Sequence, residues 1–441
     1  MFKNAIIKGT FILTVTGFAS RFIGFFFRMF LSHTFGEEQV GLYQLIFPIY
    51  ALCFSLSSAG IETALSRCVA KKIVCGKKKE ADTLLYHALL ISTFISLVLS
   101  ILLQHQATFL SIHVLGDLRC EEMLRMLSLA LPFASVHSCI CGYYLGQKKT
   151  QIPAVSQLVE QLGRVVFVYL IYRALSANHS QVTILVAVLG IAVGELLSAL
   201  FCVRYFYIKP HAHFSPPDIL HQKSLSQELF TLAIPLTSNR VLMNILQSVE
   251  TISIPLCLQK HGHSSMEALS IYGVLFGMVI PCVFFPTAIT NSVSTMLLPT
   301  VAQIQAEDNL IRLKQLIQKV IFFGFGLGTI FGSVFLLLGS FIGTTLFNST
   351  LAGNFLQTLA FLCPFLYMNN TLISILNGLG KANSSFAISV SGLAIRILGV
   401  WIGIVYWGMK GYLWGLMGSQ LLVSILCITA LKLYIEKREL S

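Results

Sequence analysis

Apolar and polar positions along this chain are sorted into long blocks, with little of the interleaving that marks the surface helices or strands of a water-soluble fold. Stretches dominated by apolar residues recur from one end to the other. At about 1.5 Å rise per residue, a stretch of roughly 20 residues crosses the hydrocarbon core of a bilayer, about 30 Å thick. Twelve such spans are predicted, at about 9–32, 39–62, 83–104, 123–146, 152–174, 182–205, 228–257, 269–298, 317–340, 353–377, 384–407 and 411–432. The longest connection, about 206–227, carries Pro210, Pro216 and Pro217 and separates two sets of six. The expected fold class is an all-α polytopic membrane protein. Its expected division is an N-terminal six-helix bundle at 1–206, a cytoplasmic linker at 207–227 and a C-terminal six-helix bundle at 228–441.

Composition supports this. The 441 residues are 55% hydrophobic and 11% charged, against about 25% charged in soluble proteins. Lys3 and Lys8 precede the first apolar run as they would in a signal peptide. No small-x-small cleavage site stands before Arg21, however, and the run continues to Leu31, so it is expected to remain as the first span. The net charge of +12 is mostly a topology signal. Lys and Arg crowd both termini and one alternating set of loops, while the opposite set holds only Arg119, Arg125, Arg173, Lys260 and Lys410. Such a bias places both ends in the cytoplasm and removes the need for a nucleic-acid partner.

The two halves resemble each other. A shift of 232 residues lays Pro132-Phe133 on Pro364-Phe365, Gly146 on Gly378, Lys149 on Lys381 and Arg164 on Arg396, and a shift of 229 lays Tyr43 and Phe47 on Tyr272 and Phe276. An even number of spans per half gives both copies the same orientation, as in transporters built from parallel repeats with a substrate site near mid-membrane.

Several charges remain inside the spans: Arg21, Arg28, Arg164, Arg240 and Arg396, with Glu62, Glu160, Glu195 and Glu250. One Arg at the bilayer centre costs roughly 2.5–3.5 kcal/mol on insertion scales, so these groups should face water, a partner or a ligand. Arg21, Arg164, Arg240 and Arg396 lie about twelve or thirteen residues into their spans, which is roughly 18–20 Å deep. Arg28 follows Arg21 by seven residues, almost two turns, so both leave the first helix on one face. A cleft lined by guanidinium groups favours an anion, and their geometry suits phosphate oxygens. Arg21, Arg28, Arg164, Arg240 and Arg396 are therefore the candidate substrate contacts.

Each has a structural alternative. Glu160 and Arg164, four apart, can neutralise each other. Arg240 and Glu250 share one long helix, whereas Arg396 has no acid within reach on its own. Glu62 reads as a paired structural acid, and Glu195 and Glu250 are candidates for ion coupling. His211-Ala212-His213 and His261-Gly262-His263 look like metal pairs but have no third ligand nearby. The eleven cysteines, Cys139-Ile140-Cys141 included, show no metal or redox spacing and read as small buried hydrophobes. Pro48, Pro132, Pro235, Pro281, Pro286 and Pro364 are expected to kink their helices. No phosphate-cradling loop, HExxH or nucleophile elbow occurs. Neither a catalytic residue nor a metal or cofactor is expected.

Ser20-Arg21-Phe22-Ile23-Gly24-Phe25-Phe26-Phe27-Arg28, followed by Val40-Gly41-Leu42-Tyr43 and Pro48, resembles the opening of the stage V sporulation protein B-like family. So does Gly60-Ile61-Glu62-Thr63-Ala64-Leu65-Ser66-Arg67. Asn244-Ile245-Leu246-Gln247, Ser270-Ile271-Tyr272-Gly273 and Ser292-Val293-Ser294-Thr295-Met296-Leu297-Leu298-Pro299-Thr300 continue the likeness in the second half. That family belongs to the multidrug/oligosaccharidyl-lipid/polysaccharide exporter superfamily, which includes lipid II flippases. The resemblance implies two six-helix bundles around a V-shaped central cavity that opens alternately to each side. It implies a polyprenyl-diphosphate-linked sugar as substrate, used in spore cortex peptidoglycan, with Arg21 and Arg28 on its diphosphate. Many members have fourteen helices, and in lipid II flippases the last two help form a groove for the lipid tail; only twelve are counted here. The expected function is a flippase working with the lipid bilayer and with cell-wall synthesis enzymes as possible partners. The alternatives are a cation-coupled multidrug exporter of the same superfamily and a transport-inactive scaffold.

Overall fold

A computed structural model describes residues 2–177, 182–208 and 219–439. The prolines at 210, 216 and 217, the pair His211 and His213, and residues 209–218 of the expected linker lie outside the described residues. Among the described residues there is no strand. The chain contacts divide into two units, Met1–Phe27 with Leu42–Ser248, and Arg28–Gly41 with Val249–Ser441.

The first unit takes the start of α1 (Phe2–Leu45) and then α2 (Phe47–Phe54), α3 (Gly60–Val74), α4 (Lys78–Phe109), α5 (Cys120–Ser128), α6 (Ala130–Gly146), α7 (Gln151–Ala177) and α8 (Leu185–Ile208). It ends part-way along α9 (Ile219–Lys260). Asn244 on α9 donates to the Ala51 carbonyl at 3.3 Å and Ser248 to that of Pro48 at 3.3 Å, which ties this part of α9 to α2. Its core packs α3, α4 and α6 through residues such as Leu65, Leu84 and Ile140.

The second unit continues with α10 (Ser265–Gly273), α11 (Ile280–Phe284), α12 (Thr287–Ala306), α13 (Leu310–Phe347), α14 (Thr350–Leu359), α15 (Cys363–Gly378), α16 (Ala382–Leu398), α17 (Val405–Trp407) and α18 (Met409–Glu439). The segment Arg28–Gly41 joins it through particular contacts. Ser32 Oγ donates to the Phe347 carbonyl at 2.8 Å, and Ser270 Oγ to the Glu37 carboxylate at 2.6 Å.

Ten helices among the described residues are long and apolar enough to cross a membrane, or eleven when the bent pair α5 and α6 is one span. The chain is a multi-pass membrane protein. The first of the ten runs 61 residues, Thr14–Val74, about three times the length that one crossing needs. It is interrupted at Gly36, whose φ of 79° and ψ of 174° are not helical.

Proline accounts for a matched break in each unit. A proline in a helix lacks the N–H that would bond four residues back, and its ring clashes with that carbonyl. Pro132 meets Ser128 in this way, and the chain bends 41° between α5 and α6. Pro364 meets Ala360 in the same way, and Ala360–Leu362 tightens into a 3-10 turn between α14 and α15. Four wider π-helical turns, Ser55–Ala59, Leu110–Leu115, Val274–Val279 and Gly399–Ile404, interrupt other helices.

Two of the glycine-bearing sequence segments meet within the second unit. A Cβ on Gly41 would stand 2.1 Å from the Leu269 carbonyl oxygen, and one on Gly273 would stand 2.2 Å from that of Glu37. Only hydrogen fits at either place. Gly41→Val is expected to cost at least about 1–3 kcal/mol by overpacking and to lower the melting temperature of the detergent-purified protein. Gly326→Ala, with nothing within 4 Å of the added carbon, should not lower it.

Candidate functional site: charges within the membrane helices

In the first unit, ionisable groups gather where α2, α6, α7 and α8 pack. Glu160 and Arg164 stand one turn apart on α7, and Arg164 Nη2 donates to Glu160 Oε1 at 2.5 Å. Helix α8 approaches them closely, since a Cβ on Gly194 would come 2.8 Å from the Glu160 carbonyl oxygen. Arg164 Nε is buried and has no acceptor among the described residues. The next residue on α8, Glu195, is buried. It accepts a hydrogen bond from the Tyr50 hydroxyl at 3.3 Å and faces His137 Nδ1 at 3.2 Å. The other imidazole nitrogen of His137 lies 2.5 Å from Ser156 Oγ, which in turn lies 2.8 Å from Ser198 Oγ.

Arg240 and Arg21 have different surroundings. Arg240 on α9 is exposed and donates to Thr63 Oγ1 at 3.0 Å. The neighbouring Glu62 accepts from Ser138 Oγ at 2.8 Å, so the expected partner of this acid is a hydroxyl. Arg21 is exposed on α1.

In the second unit, Glu250 has none of its surface exposed. Arg396 Nε on α16 donates to its Oε1 at 2.7 Å, and the Tyr412 hydroxyl on α18 donates to the same oxygen at 2.7 Å. Oε2 of Glu250 is buried and has no donor among the described residues. Arg28 Nη1 donates to the carbonyls of Phe276 and Gly277 at 3.4 and 3.3 Å. Both carbonyls lie in the π-helical turn Val274–Val279, whose wider winding shifts its carbonyls out of ordinary helical pairing.

The five candidate arginines have different surroundings. Arg164 and Arg396 are ion-paired, Arg396 with an acid contributed by a different helix. Arg28 and Arg240 donate to neutral oxygens, and Arg21 is exposed. Arg240 and Glu250, on one helix, each bind other residues. His261 Nδ1 contacts the Val405 carbonyl at 2.9 Å, and His263 lies 3.5 Å from Glu267. The sequence reading missed Tyr50, His137, Ser156 and Tyr412. His137 carried a usable signal, being the one imidazole in the otherwise apolar run of α6, where a polar group is costly.

A family model described as polysaccharide biosynthesis protein matches residues 6–305, more than half of the chain. The chain belongs to that family. Among relatives of this polysaccharide biosynthesis protein, stage V sporulation protein B of Bacillus subtilis (strain 168) is 26% identical over 404 residues, covering 90% of this chain and 77% of the relative. In fold, the chain is similar to an inward-facing multidrug resistance MATE family transporter of the MOP superfamily. The TM-score is 0.75 at 14% identity, over 97% of this chain and 96% of the other. It is also similar to the lipid II flippase MurJ in its inward closed conformation, with a TM-score of 0.72 at 14% identity, over 96% and 87%.

Removing one member of a buried ion pair strands the other. Arg396→Ala is expected to destabilise the protein by about 3–5 kcal/mol, seen as a large fall in melting temperature. Adding Glu250→Gln to that variant should recover much of the loss. A double-mutant cycle with no coupling would disprove the pairing.

Proposed function

We propose that this polysaccharide biosynthesis protein is a flippase that carries a polyprenyl-diphosphate-linked oligosaccharide from the inner to the outer leaflet of the cytoplasmic membrane by alternating access. The observation that carries the reading is the presence of guanidinium groups on membrane-length helices, Arg21 and Arg28 on α1 and Arg240 on α9. A diphosphate supplies the anionic oxygens such groups bind in pairs. Similarity to stage V sporulation protein B and to the flippase MurJ supports a cell-wall precursor as cargo, and a role in the spore cortex. Arg164 and Arg396, each already bound to a carboxylate, hold helix positions and set the field around the cargo.

The topology follows the same reading. Taking Thr14–Val74 as two crossings and α5 with α6 as one gives twelve, divided at the 207–227 linker, with both termini cytoplasmic by the distribution of Lys and Arg. Cargo drives the conformational change only through unequal affinity for the two states. Transport needs no bond made or broken in the protein, so the chain acts as a transporter and not as an enzyme. An ion at Glu195 or Glu250 would reset the empty carrier.

Proteoliposomes containing fluorescent lipid II should show flipping by the wild type. Arg21→Ala lies at an exposed position and should fold normally, with flipping reduced about tenfold or more; Arg28→Ala should do the same. Arg21→Lys should recover part of the rate, because charge is kept and the paired geometry is lost. Wild-type rates in both alanine variants would refute the phosphate contact. Export of cationic dyes without flipping of lipid II would establish the multidrug alternative.

A further inference from the structure

Cys141, Cys202 and His137 converge inside the first unit, and their ligand atoms all lie within 4.8 Å of one another. The chain separates the two cysteines by 61 positions, so no local spacing announces the cluster. His137 and Cys141 stand four apart on α6, which places both on one face of that helix, and Cys202 comes from α8. Both cysteines are buried, as are Ser156 and Ser198.

One hydroxyl sits among the three donors. Ser156 Oγ is 2.5 Å from His137 Nε2, 3.3 Å from Cys202 Sγ and 3.7 Å from Cys141 Sγ. Four heteroatoms, from two thiols, an imidazole and a hydroxyl, thus form one compact group in an apolar bundle. A second observation comes from the far side of the imidazole. A histidine that ligates a metal usually directs its other ring nitrogen to a carboxylate, which fixes the tautomer and strengthens the ligand. His137 Nδ1 faces Glu195 at 3.2 Å, and Glu195 is itself held by the Tyr50 hydroxyl at 3.3 Å. The carboxylate–histidine arrangement of a metal site is already assembled, with Nε2 on the Ser156 hydroxyl that both sulfurs also contact.

We propose that His137, Cys141 and Cys202 form a binding site for a thiophilic metal ion, with Zn2+ the preferred occupant and the Ser156 hydroxyl or a water in the fourth position. Two sulfurs and one imidazole are a recurring zinc donor set. Zinc–sulfur bonds of about 2.3 Å and zinc–nitrogen bonds of about 2.0 Å put tetrahedral ligands roughly 3.5–3.8 Å apart. The donors must therefore draw in by about 1 Å, less than one χ1 step moves a sulfur. Charge favours the site as well. Binding releases both thiol protons, and two thiolates with a dication are neutral overall, which suits a membrane interior. A hard cation would look instead to His137, Glu160 and Glu195, whose ligand atoms also cluster. There it would compete with the Arg164 guanidinium already on Glu160, so the sulfur-lined face is the better site. The expectation of isolated hydrophobic cysteines is revised for this pair alone. The proposal does not rest on the transport reading.

The test uses the full chain in lipid nanodiscs, titrated with Co2+ in anaerobic buffer free of reductant. One equivalent should produce thiolate-to-cobalt charge-transfer absorption and the strong visible bands of a tetrahedral ion, both abolished by added Zn2+. Cys141→Ser and Cys202→Ser should each weaken or remove the charge-transfer band, and Cys75→Ser, at an exposed thiol, should not. Glu195→Gln should lower Co2+ affinity by about tenfold or more. X-ray absorption on the zinc-loaded wild type should find sulfur and imidazole shells, whether or not the variants fold. No charge-transfer band in the wild type, an undiminished band in the Cys141→Ser/Cys202→Ser double variant, or a purely oxygen and nitrogen shell would each overturn the site.

Discussion

An ionised side chain cannot stand alone in hydrocarbon, and that constraint arranges the interior of both units. Glu250 is the sharpest instance, since a carboxylate with no exposed surface requires a cation or a proton close by. Arg396 and Tyr412 converge on one of its oxygens from α16 and α18. The pair need not add net stability over a hydrophobic substitute. What it does impose is register, because sliding either helix by one residue would turn the partner away and leave the acid buried alone. Glu160 with Arg164 and Glu195 with Tyr50 and His137 impose the same discipline on α2, α6, α7 and α8.

The internal repeat makes the point a second time. Arg164 and Arg396 occupy matching places in the two halves, yet each meets its acid differently. Arg164 takes Glu160 from its own helix, while Arg396 takes Glu250 from α9. Matching backbones do not dictate matching ion pairs. What carries over between the halves is the requirement that the cation be met, together with the proline breaks at Pro132 and Pro364, which follow from a missing N–H in either context.

Much of the fold was legible because apolar block length and proline chemistry act locally. The presence of many membrane-length apolar helices, the breaks near Pro132 and Pro364, and the Glu160–Arg164 pair could all be read within a few residues of sequence. The Arg396–Glu250 pair joins residues 146 apart, and the cluster of His137, Cys141 and Cys202 needs two helices packed in register; neither leaves a local trace. The π-helical turns were equally hidden. Ser55-Leu56-Ser57-Ser58-Ala59 has no proline to announce it, and its Ser57 carbonyl accepts from the Ser92 hydroxyl on α4 at 2.7 Å. For Arg396, nothing on its own helix names the carboxylate it meets, because that acid comes from α9.

Gly36 has a consequence of its own. Its φ of 79° and ψ of 174° lie in a region that is effectively closed to every residue except glycine, yet nothing stands within 4 Å of the carbon a side chain would add. The prohibition is one of handedness and not of room. A D-alanine placed there by chemical synthesis would be accommodated in the bend, while its L-enantiomer, identical in volume, would force the helix toward a different path.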